Sequence, residues 1–164
     1  MASKTNVSLS ESARAFLDRA RRYCAHSEQC ETGVRQKLIS WGAPAADLDA
    51  IILRLRADDY INDTRYAIAY CRGKLIGQRW GRQKVLYQLR AKHLPKEAIE
   101  AGMAQVDDET YFSIMNDEAA KKLRQLGGEF TPESRRRLAA FLASRGYTPS
   151  EIAHLVDSDV PFEQ

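Results

Sequence analysis

The stretch Leu94-Pro95-Lys96-Glu97-Ala98-Ile99 starts a helix, and two more segments of the chain are built in the same way. Ala43-Pro44 is followed by Leu48, and Thr148-Pro149 is followed by Ile152. Proline suits the first helical turn, where its missing N–H would have no intrahelical partner, and the trailing apolar residue fits a buried face. The three prolines are about fifty residues apart, which lies in the period range of repeat proteins. The spacing therefore predicts one unit that occurs three times.

Each unit carries the apolar periodicity of three amphipathic helices. In the first unit, one helix contains Ala13, a second from about Glu28 is ended by Gly42, and a third begins at Pro44. No stretch alternates with a period of two over the length of a strand. We predict an all-α fold of three tandem three-helix repeats that form an elongated, curved array. The predicted segments are a disordered N-terminal tail (1–8), repeats over 9–57, 58–106 and 107–157, and a C-terminal tail (158–164).

Several helices of the second and third units can be placed in more detail. The first helix of unit two is predicted from roughly Asp63 to Ile76, and the second from about Arg82 to His93. In the second helix, the periodicity places Lys84 and Tyr87 together on the exposed side. In unit three, one apolar face of the first helix is predicted to contain Phe112, Met115, Ala119, Leu123 and Leu126.

The positive charge is concentrated in the middle of the chain. The 164 residues carry a formal net charge of only +3. Between Tyr60 and Val106, however, nine Lys or Arg residues face only three acids. A localised basic surface of this kind is typical of a protein that binds an anionic partner.

The composition offers little support for catalysis, metal binding or a membrane span. The three cysteines follow no framework spacing, so we expect them to be reduced core residues. Cys24, His26 and Cys30 have no fourth ligand nearby in sequence, so neither zinc nor another cofactor is expected. No group of residues has a spacing tied to a reaction, and no catalytic residue is assigned. Without a long apolar run, the expected location is the cytoplasm.

Two segments of unit two resemble the RecX family of bacterial regulators of the RecA recombinase. Asp58-Asp59-Tyr60-Ile61-Asn62-Asp63-Thr64-Arg65-Tyr66-Ala67 is similar to the segment that precedes and begins the family's middle repeat. Trp80-Gly81-Arg82-Gln83-Lys84-Val85, with Leu89, is similar to its glycine-led second helix. Where the family tends to have glycine after Lys92, this chain has His93, which predicts a less strained helix end. Tyr66 stands where phenylalanine is common.

The resemblance implies a protein that binds the RecA–DNA nucleoprotein filament in its helical groove and modulates recombinase, ATPase and co-protease activity, with inhibition as the expected direction. It implies roles in homologous recombination, DNA repair and the SOS response, and no catalysis. The expected partners are the RecA filament and single- or double-stranded DNA, bound weakly and without sequence preference. We expect a monomer that does not bind membranes.

The candidate partner-binding or DNA-binding residues form a collective basic patch in unit two, with a second basic cluster in unit three. A cation beside an aromatic side chain can pair with phosphate while the ring covers a base or an apolar patch. A solvated charged face is an equally simple interpretation of such helical charge. The candidates are Arg72, Lys74, Arg79, Arg82, Lys84, Tyr87, Arg90 and Lys92, and then Arg135, Arg136 and Arg137.

Two other functions fit the sequence. The chain could be an autonomous DNA-binding protein that places a helix pair in the major groove. It could also be a helical-repeat scaffold without either activity. Trp41 lies on an apolar stripe and is predicted to be in the core, whereas Trp80, at a helix start, could pack as a hydrophobic staple or contact a partner.

Overall fold

The computed structural model describes residues 9–157, and this part of the chain consists of helices joined by turns and loops, without a β-strand. The predicted tails, 1–8 and 158–164, lie outside the described residues. The described helices form three consecutive triplets, which confirms the all-α repeat fold; the residue boundaries assigned to the repeats stay predictions. The helices are α1 (Glu11–His26), α2 (Glu31–Ser40), α3 (Ala45–Ala57), α4 (Asp63–Cys71), α5 (Arg82–Ala91), α6 (Lys96–Met103), α7 (Asp108–Gln125), α8 (Pro132–Arg145) and α9 (Pro149–Val156). None of them is both long enough and apolar enough to cross a bilayer.

Two of the three proline-led helix starts are equivalent, and the third is shifted by one residue. Pro44 and Pro95 occupy the N-cap positions of α3 and α6, rather than the first helical turn. In α9 the N-cap is Thr148, and Pro149 is the first helical residue. Thr148 and Glu151 form the capping box that the sequence predicts. The structural equivalent of Pro44 and Pro95 is therefore Thr148.

The apolar side chains form two separate cores. One lies within α1–α3, and the other is shared by α4–α6 and α7–α9. Cys30 is the residue of the first triplet that belongs to the shared core. The second and third triplets are thus joined by apolar packing, to which the first triplet contributes little. The largest fully buried side chains include Leu38, Ile51 and Leu55 in the first core, and Tyr111, Met115, Leu138, Leu142 and Tyr147 in the second.

The second helix of a triplet is capped by the triplet that follows it. Neither Cys30 nor Gly81, the N-cap residues of α2 and α5, makes a side-chain capping hydrogen bond. Instead, the backbone N–H of Glu31 donates to Asp63 Oδ1 at 3.4 Å. The α8 helix differs, because its own Thr131 and Ser134 form a capping box. Orphan N–H groups at helix starts must find an acceptor, so these caps across triplets are part of the fold.

The contacts between the first and second triplets, here the first joint, are mainly ionic. Arg56 bonds to Glu31 and lies 2.9 Å from Asp63. Arg65 bonds to Glu28 at 2.6 Å. Although burial opposes the shift, hydrogen bonds from Arg35 and Arg56 hold the pKa of Glu31 below its ordinary value.

The contacts between the second and third triplets, here the second joint, bring backbones together. The N–H of Gly81 donates to the carbonyl oxygen of Arg145 at 2.8 Å. The N–H of Arg82 donates to the hydroxyl oxygen of Tyr111 at 3.1 Å, which caps α5. The hydroxyl of Tyr147 donates to the carbonyl oxygen of Arg79 at 3.1 Å.

Two features of the predicted helices differ from the structure, namely the helix type after Cys71 and the strain at the end of α5. The helix predicted to Ile76 is α-helical only to Cys71 and continues as a π-helical segment over Arg72–Gly77. The α5 helix ends at Ala91, and His93 has a left-handed backbone with φ of 57°. A side chain in that conformation is strained where glycine is not, so this helix end is more strained than predicted, not less.

The apolar face of α7 differs from the prediction at its first position. Phe112 is 39% exposed, whereas its neighbour Tyr111 is buried. Tyr111 fits the interior because its hydroxyl is hydrogen-bonded to Arg82 and to Glu151. Met115 and the other predicted positions Ala119 and Leu123 are buried as expected, and Leu126 is half-buried.

Candidate functional site

Two tyrosines of α4 form the first part of a surface on which rings and cations alternate. Tyr66 and Tyr70 are stacked, with ring centroids 5.8 Å apart. The ammonium of Lys92 lies 5.9 Å from the Tyr66 centroid, and that of Lys74 lies 5.5 Å from the Tyr70 centroid. Both distances are within the range of cation–π attraction.

Trp80 continues this surface, and two lysine ammonium groups contact its ring. The ammonium of Lys74 is 4.5 Å from its ring centroid, and that of Lys84 is 4.2 Å away. Lys84 also donates to the carbonyl oxygen of Ser144 at 3.3 Å, which places it beside the third triplet. Trp80 thus packs against the shared core and keeps two ammonium groups close together. We call this surface the basic-aromatic strip; its members are Tyr66, Tyr70, Lys74, Trp80, Lys84 and Lys92.

Helical spacing explains why these residues meet. Tyr66, Tyr70 and Lys74 follow one another at intervals of four along α4 and the π-helical segment. Lys84 and Lys92 lie eight residues apart on α5 and its C-terminal end. Residues four apart share a face of a helix, so each row forms a stripe, and the two stripes lie side by side.

Ring and cation contacts continue from the strip onto the third triplet, through residues that are not among the predicted binding residues. The guanidinium of Arg145 and the ammonium of Lys122 each lie 5.2 Å from the ring centroid of Phe141. Gln78 links the two parts, since Lys74 donates to its side chain at 3.1 Å and Arg145 to its carbonyl oxygen at 3.0 Å. The spacing of four between Phe141 and Arg145, equal to that between Tyr70 and Lys74, is the signal that could have identified them.

Two of the predicted binding residues form ion pairs with acidic side chains of the protein itself. Arg79 pairs with Glu118 at 3.1 Å. Arg82 pairs with Asp108 at 2.5 Å and lies over the ring of Tyr111 at 4.2 Å. Both guanidinium groups therefore stabilise the second joint, and we do not place them in the strip.

The other predicted residues of unit two lie outside the strip. Tyr87 is 70% exposed, but Lys84 does not lie beside it; the ammonium of Lys84 lies over the ring of Trp80 instead. Arg72 and Arg90 are also exposed. The structure thus brings together Lys74, Lys84 and Lys92 from the predicted patch.

The predicted arginine cluster of α8 is divided among different contacts. Arg135 lies over the ring of Phe130 at 4.3 Å, and Arg137 pairs with Glu133 at 2.7 Å. Arg136 is exposed. This cluster does not form one continuous basic surface with the strip.

The cysteines are packed among apolar side chains. Burial, with a smaller contribution from Glu28, raises the pKa of Cys24 to about 11, and burial raises the pKa of Cys71 to about 11. These thiols therefore stay protonated at neutral pH, which disfavours them as metal ligands. Among residues 9–157, no group of three His, Cys, Asp or Glu side chains could hold a metal ion.

The tryptophans have different environments. Trp41 is half-buried, meets Tyr23 edge to face at 5.8 Å, and has the guanidinium of Arg19 4.2 Å from its ring centroid. It packs against the first core, as predicted. Trp80 packs against the shared core and belongs to the strip.

Two segments of the chain match sequence profiles of one family. Residues 62–103 match the second three-helix domain of RecX, and residues 109–156 match the third. Together these segments make up more than half of the chain.

Whole-chain relatives carry the same name. Regulatory protein RecX of Clostridium acetobutylicum is 27% identical over 142 residues, which are 84% of this chain and 65% of the relative. Regulatory protein RecX of Listeria monocytogenes serotype 4b is 23% identical over 157 residues, which are 96% of this chain and 58% of the relative. This chain thus spans about 60% of the length of the curated relatives that it matches.

Solved structures show the same fold. The crystal structure of RecX from Lactobacillus salivarius superposes with a TM-score of 0.78 at 19% identity, over 91% of this chain and 97% of that one. A crystal structure of regulatory protein RecX gives a TM-score of 0.79 at 19% identity, over 91% of this chain and 73% of the other. With the two matched domains in consecutive order and the helical triplets in place, the chain belongs to the RecX family of regulatory proteins.

Proposed function

We propose that this protein binds the RecA–DNA nucleoprotein filament and lowers the recombinase, ATPase and co-protease activities of RecA. The observation that carries the proposal is the basic-aromatic strip, considered together with membership of the RecX family. The strip lies on the second triplet and meets the third at Ser144. An anionic filament with a long groove is a partner whose charge is opposite to that of the strip.

The cations of the strip are arranged before any partner arrives. Lys74 and Lys84 are both held near the ring of Trp80, so binding costs less side-chain ordering than it would for two unrestrained lysines. Lysine ammonium groups can pair with phosphates, while aromatic rings can cover a base or an apolar patch. Free DNA binding is expected to be weak, sensitive to salt and independent of sequence.

The charge of α6 argues against the second triplet as a helix pair that enters the major groove. A helix pair in the major groove would place the second helix of the pair among phosphates and bases. In α6, however, Lys96 is paired with Glu100 at 3.5 Å, and Glu97 is exposed. These carboxylates would be repelled by the phosphate backbone.

The test is a titration of RecA ATP hydrolysis on single-stranded DNA. The wild-type protein is expected to slow hydrolysis at substoichiometric amounts. The double variant K74Q/K84Q should need clearly more protein for half-inhibition, because it loses both cations at Trp80. The matched control is R14Q/R22Q, which removes two exposed cations of α1 and should inhibit like the wild type.

Three results would contradict the proposal. Unchanged hydrolysis at equimolar wild-type protein would favour a scaffold without effect on RecA. Equal loss of inhibition in K74Q/K84Q and R14Q/R22Q would show that net charge, rather than the strip, determines binding. Sequence-selective duplex binding that survives moderate salt would favour the autonomous DNA-binding protein.

A salt titration of binding to single-stranded DNA gives a second, independent measurement. Each phosphate contact adds about 0.7 to the steepness of log affinity against log salt on a single strand. If Lys74 and Lys84 each contact a phosphate, the slope for K74Q/K84Q should be shallower than that of the wild type by about 1.4. The slope for R14Q/R22Q should not change.

A further inference from the structure

A buried carboxylate lies next to the loop that carries Trp80 of the basic-aromatic strip. Glu118 of α7 is 5% exposed. Its two oxygens face two guanidinium groups, with Arg79 at 3.1 Å and Arg145 at 3.5 Å. A carboxylate is costly to bury unless it is paired, so the burial of Glu118 depends on these two arginines.

Both arginine partners of Glu118 hold the loop 78–81. Arg79 lies in this loop with a left-handed backbone, φ of 55°, which is strained for a residue with a side chain. Its carbonyl oxygen accepts a hydrogen bond from Tyr147 at 3.1 Å. Arg145 donates to the carbonyl oxygen of Gln78 at 3.0 Å. The loop is thus fixed from the third triplet by contacts that converge on Glu118.

We propose that Glu118 is a positioning residue for the basic-aromatic strip. Through its arginine partners it holds the loop 78–81, and the loop presents Trp80 to Lys74 and Lys84. The link to partner binding rests on the proposed function. The link to the conformation of the strip does not.

Positioning by Glu118 and net charge alone predict opposite effects of a substitution at this residue on partner binding. The substitution E118Q removes a negative charge near a surface that binds an anion, so charge alone predicts tighter binding. A glutamine cannot neutralise two guanidinium groups, and their repulsion should release the loop. Positioning by Glu118 therefore predicts weaker binding, by about fivefold, a typical effect of a residue outside the contact surface.

Trp80 can report on the strip without any partner. The chain has two tryptophans, so W41F leaves Trp80 as the sole tryptophan, whose fluorescence can be excited at wavelengths that tyrosine does not absorb. The readout is the ratio of quenching by iodide, an anion, to quenching by neutral acrylamide. Ammonium groups at the ring concentrate iodide, so the ratio should fall in W41F/K74Q/K84Q, which calibrates the signal.

In the W41F background, E118Q should also lower the iodide-to-acrylamide quenching ratio, because Trp80 then moves away from the ammonium groups of Lys74 and Lys84. A rise in the ratio, or no change, would overturn the proposal. The control for general loosening is I152A, which destabilises the fold by removing part of a buried side chain of α9 outside the strip. If I152A lowers the ratio as much as E118Q does, general loosening explains the effect and the positioning role is wrong.

The RecA ATPase titration supplies the functional arm. If wild-type protein inhibits, E118Q should raise the half-inhibiting concentration about fivefold, while I152A should change it little. Tighter inhibition by E118Q would overturn the proposal. If the wild type fails to inhibit, the proposed function fails, and the Trp80 quenching ratio still decides whether Glu118 holds the strip.

Discussion

The backbone of Gly81 packs directly against the backbone of Gly146, and a Cβ placed on Gly81 would overlap the carbonyl group of Gly146. Gly146 is equally constrained, because its own Cβ would overlap the side chain of Lys84 and its φ is 94°. Two glycines therefore set how closely α5 approaches α8. The same contact fixes Lys84, a member of the strip, next to the third triplet.

Replacing Gly81 by alanine should disrupt the second joint. The added methyl group would push α5 away from α8 and weaken the hydrogen bond from Gly81 to Arg145. We expect G81A to lower the free energy of unfolding by about 3 kcal/mol, measured by urea denaturation. The control is G73A, whose Cβ would meet no heavy atom within 4 Å. An equal loss in both variants would argue against the close-approach explanation.

Removing the hydroxyl of Tyr111 should weaken the start of α5. In Y111F the N–H of Arg82 loses its acceptor while the buried ring stays in place. Loss of a helix cap predicts a decrease of about 1 kcal/mol in the free energy of unfolding. Y87F removes the hydroxyl of an exposed tyrosine and should change stability by less than about 0.5 kcal/mol. Urea denaturation of both variants checks the difference.

The helix end at His93 should become more stable with glycine. His93 has φ of 57°, and Gly42, at the corresponding position after α2, has φ of 86°. H93G should therefore raise the free energy of unfolding by about 1 kcal/mol, because it relieves left-handed strain. G42A should lower it by about 1 kcal/mol, since a Cβ there meets nothing within 4 Å and only the backbone is strained. Shifts of the same sign in both would contradict this account.

The second joint should lose stability in alkali. Burial, the largest cause, raises the pKa of Tyr147 to about 12 from an ordinary value of 10.0, and it also raises the pKa of Tyr111. A phenol whose pKa is raised by folding contributes stability that is complete below the unfolded pKa and is lost as pH rises from 10 toward 12. The free energy of unfolding should fall across this window. In Y147F the fall should be shallower, as urea titrations at a series of pH values would show.

The local pattern of the sequence is sufficient to predict how many helices the described residues form and which faces of most of them are buried. Apolar periodicity identified the buried faces of α1, α2 and α5, because those faces depend on spacing within one helix. The one-residue register shift at Thr148 was missed, because proline fits both the N-cap position and the first helical turn. The π-helical segment gave no signal that periodicity could detect.

The site was predictable only in part, because contacts between triplets decide which cations remain available. Lys84 is predicted beside an aromatic side chain, but its ring is Trp80 rather than Tyr87, and Lys74, predicted only as part of the collective patch, lies over the same ring. Arg79 and Arg82 look equally basic in the sequence, yet acids of α7 bind both of them. No local spacing reveals pairs between residues 39 and 26 positions apart.

The difference between α8 and the other second helices has a consequence for how the protein is made. On the ribosome, α2 emerges before Asp63, which follows Glu31 by 32 residues, and α5 emerges before Tyr111, which follows Arg82 by 29. The α8 helix needs no such wait, because Thr131 and Ser134 are 3 residues apart. The α2 and α5 helices thus receive these caps only after the following triplet has been synthesised, whereas α8 can be capped as soon as it emerges.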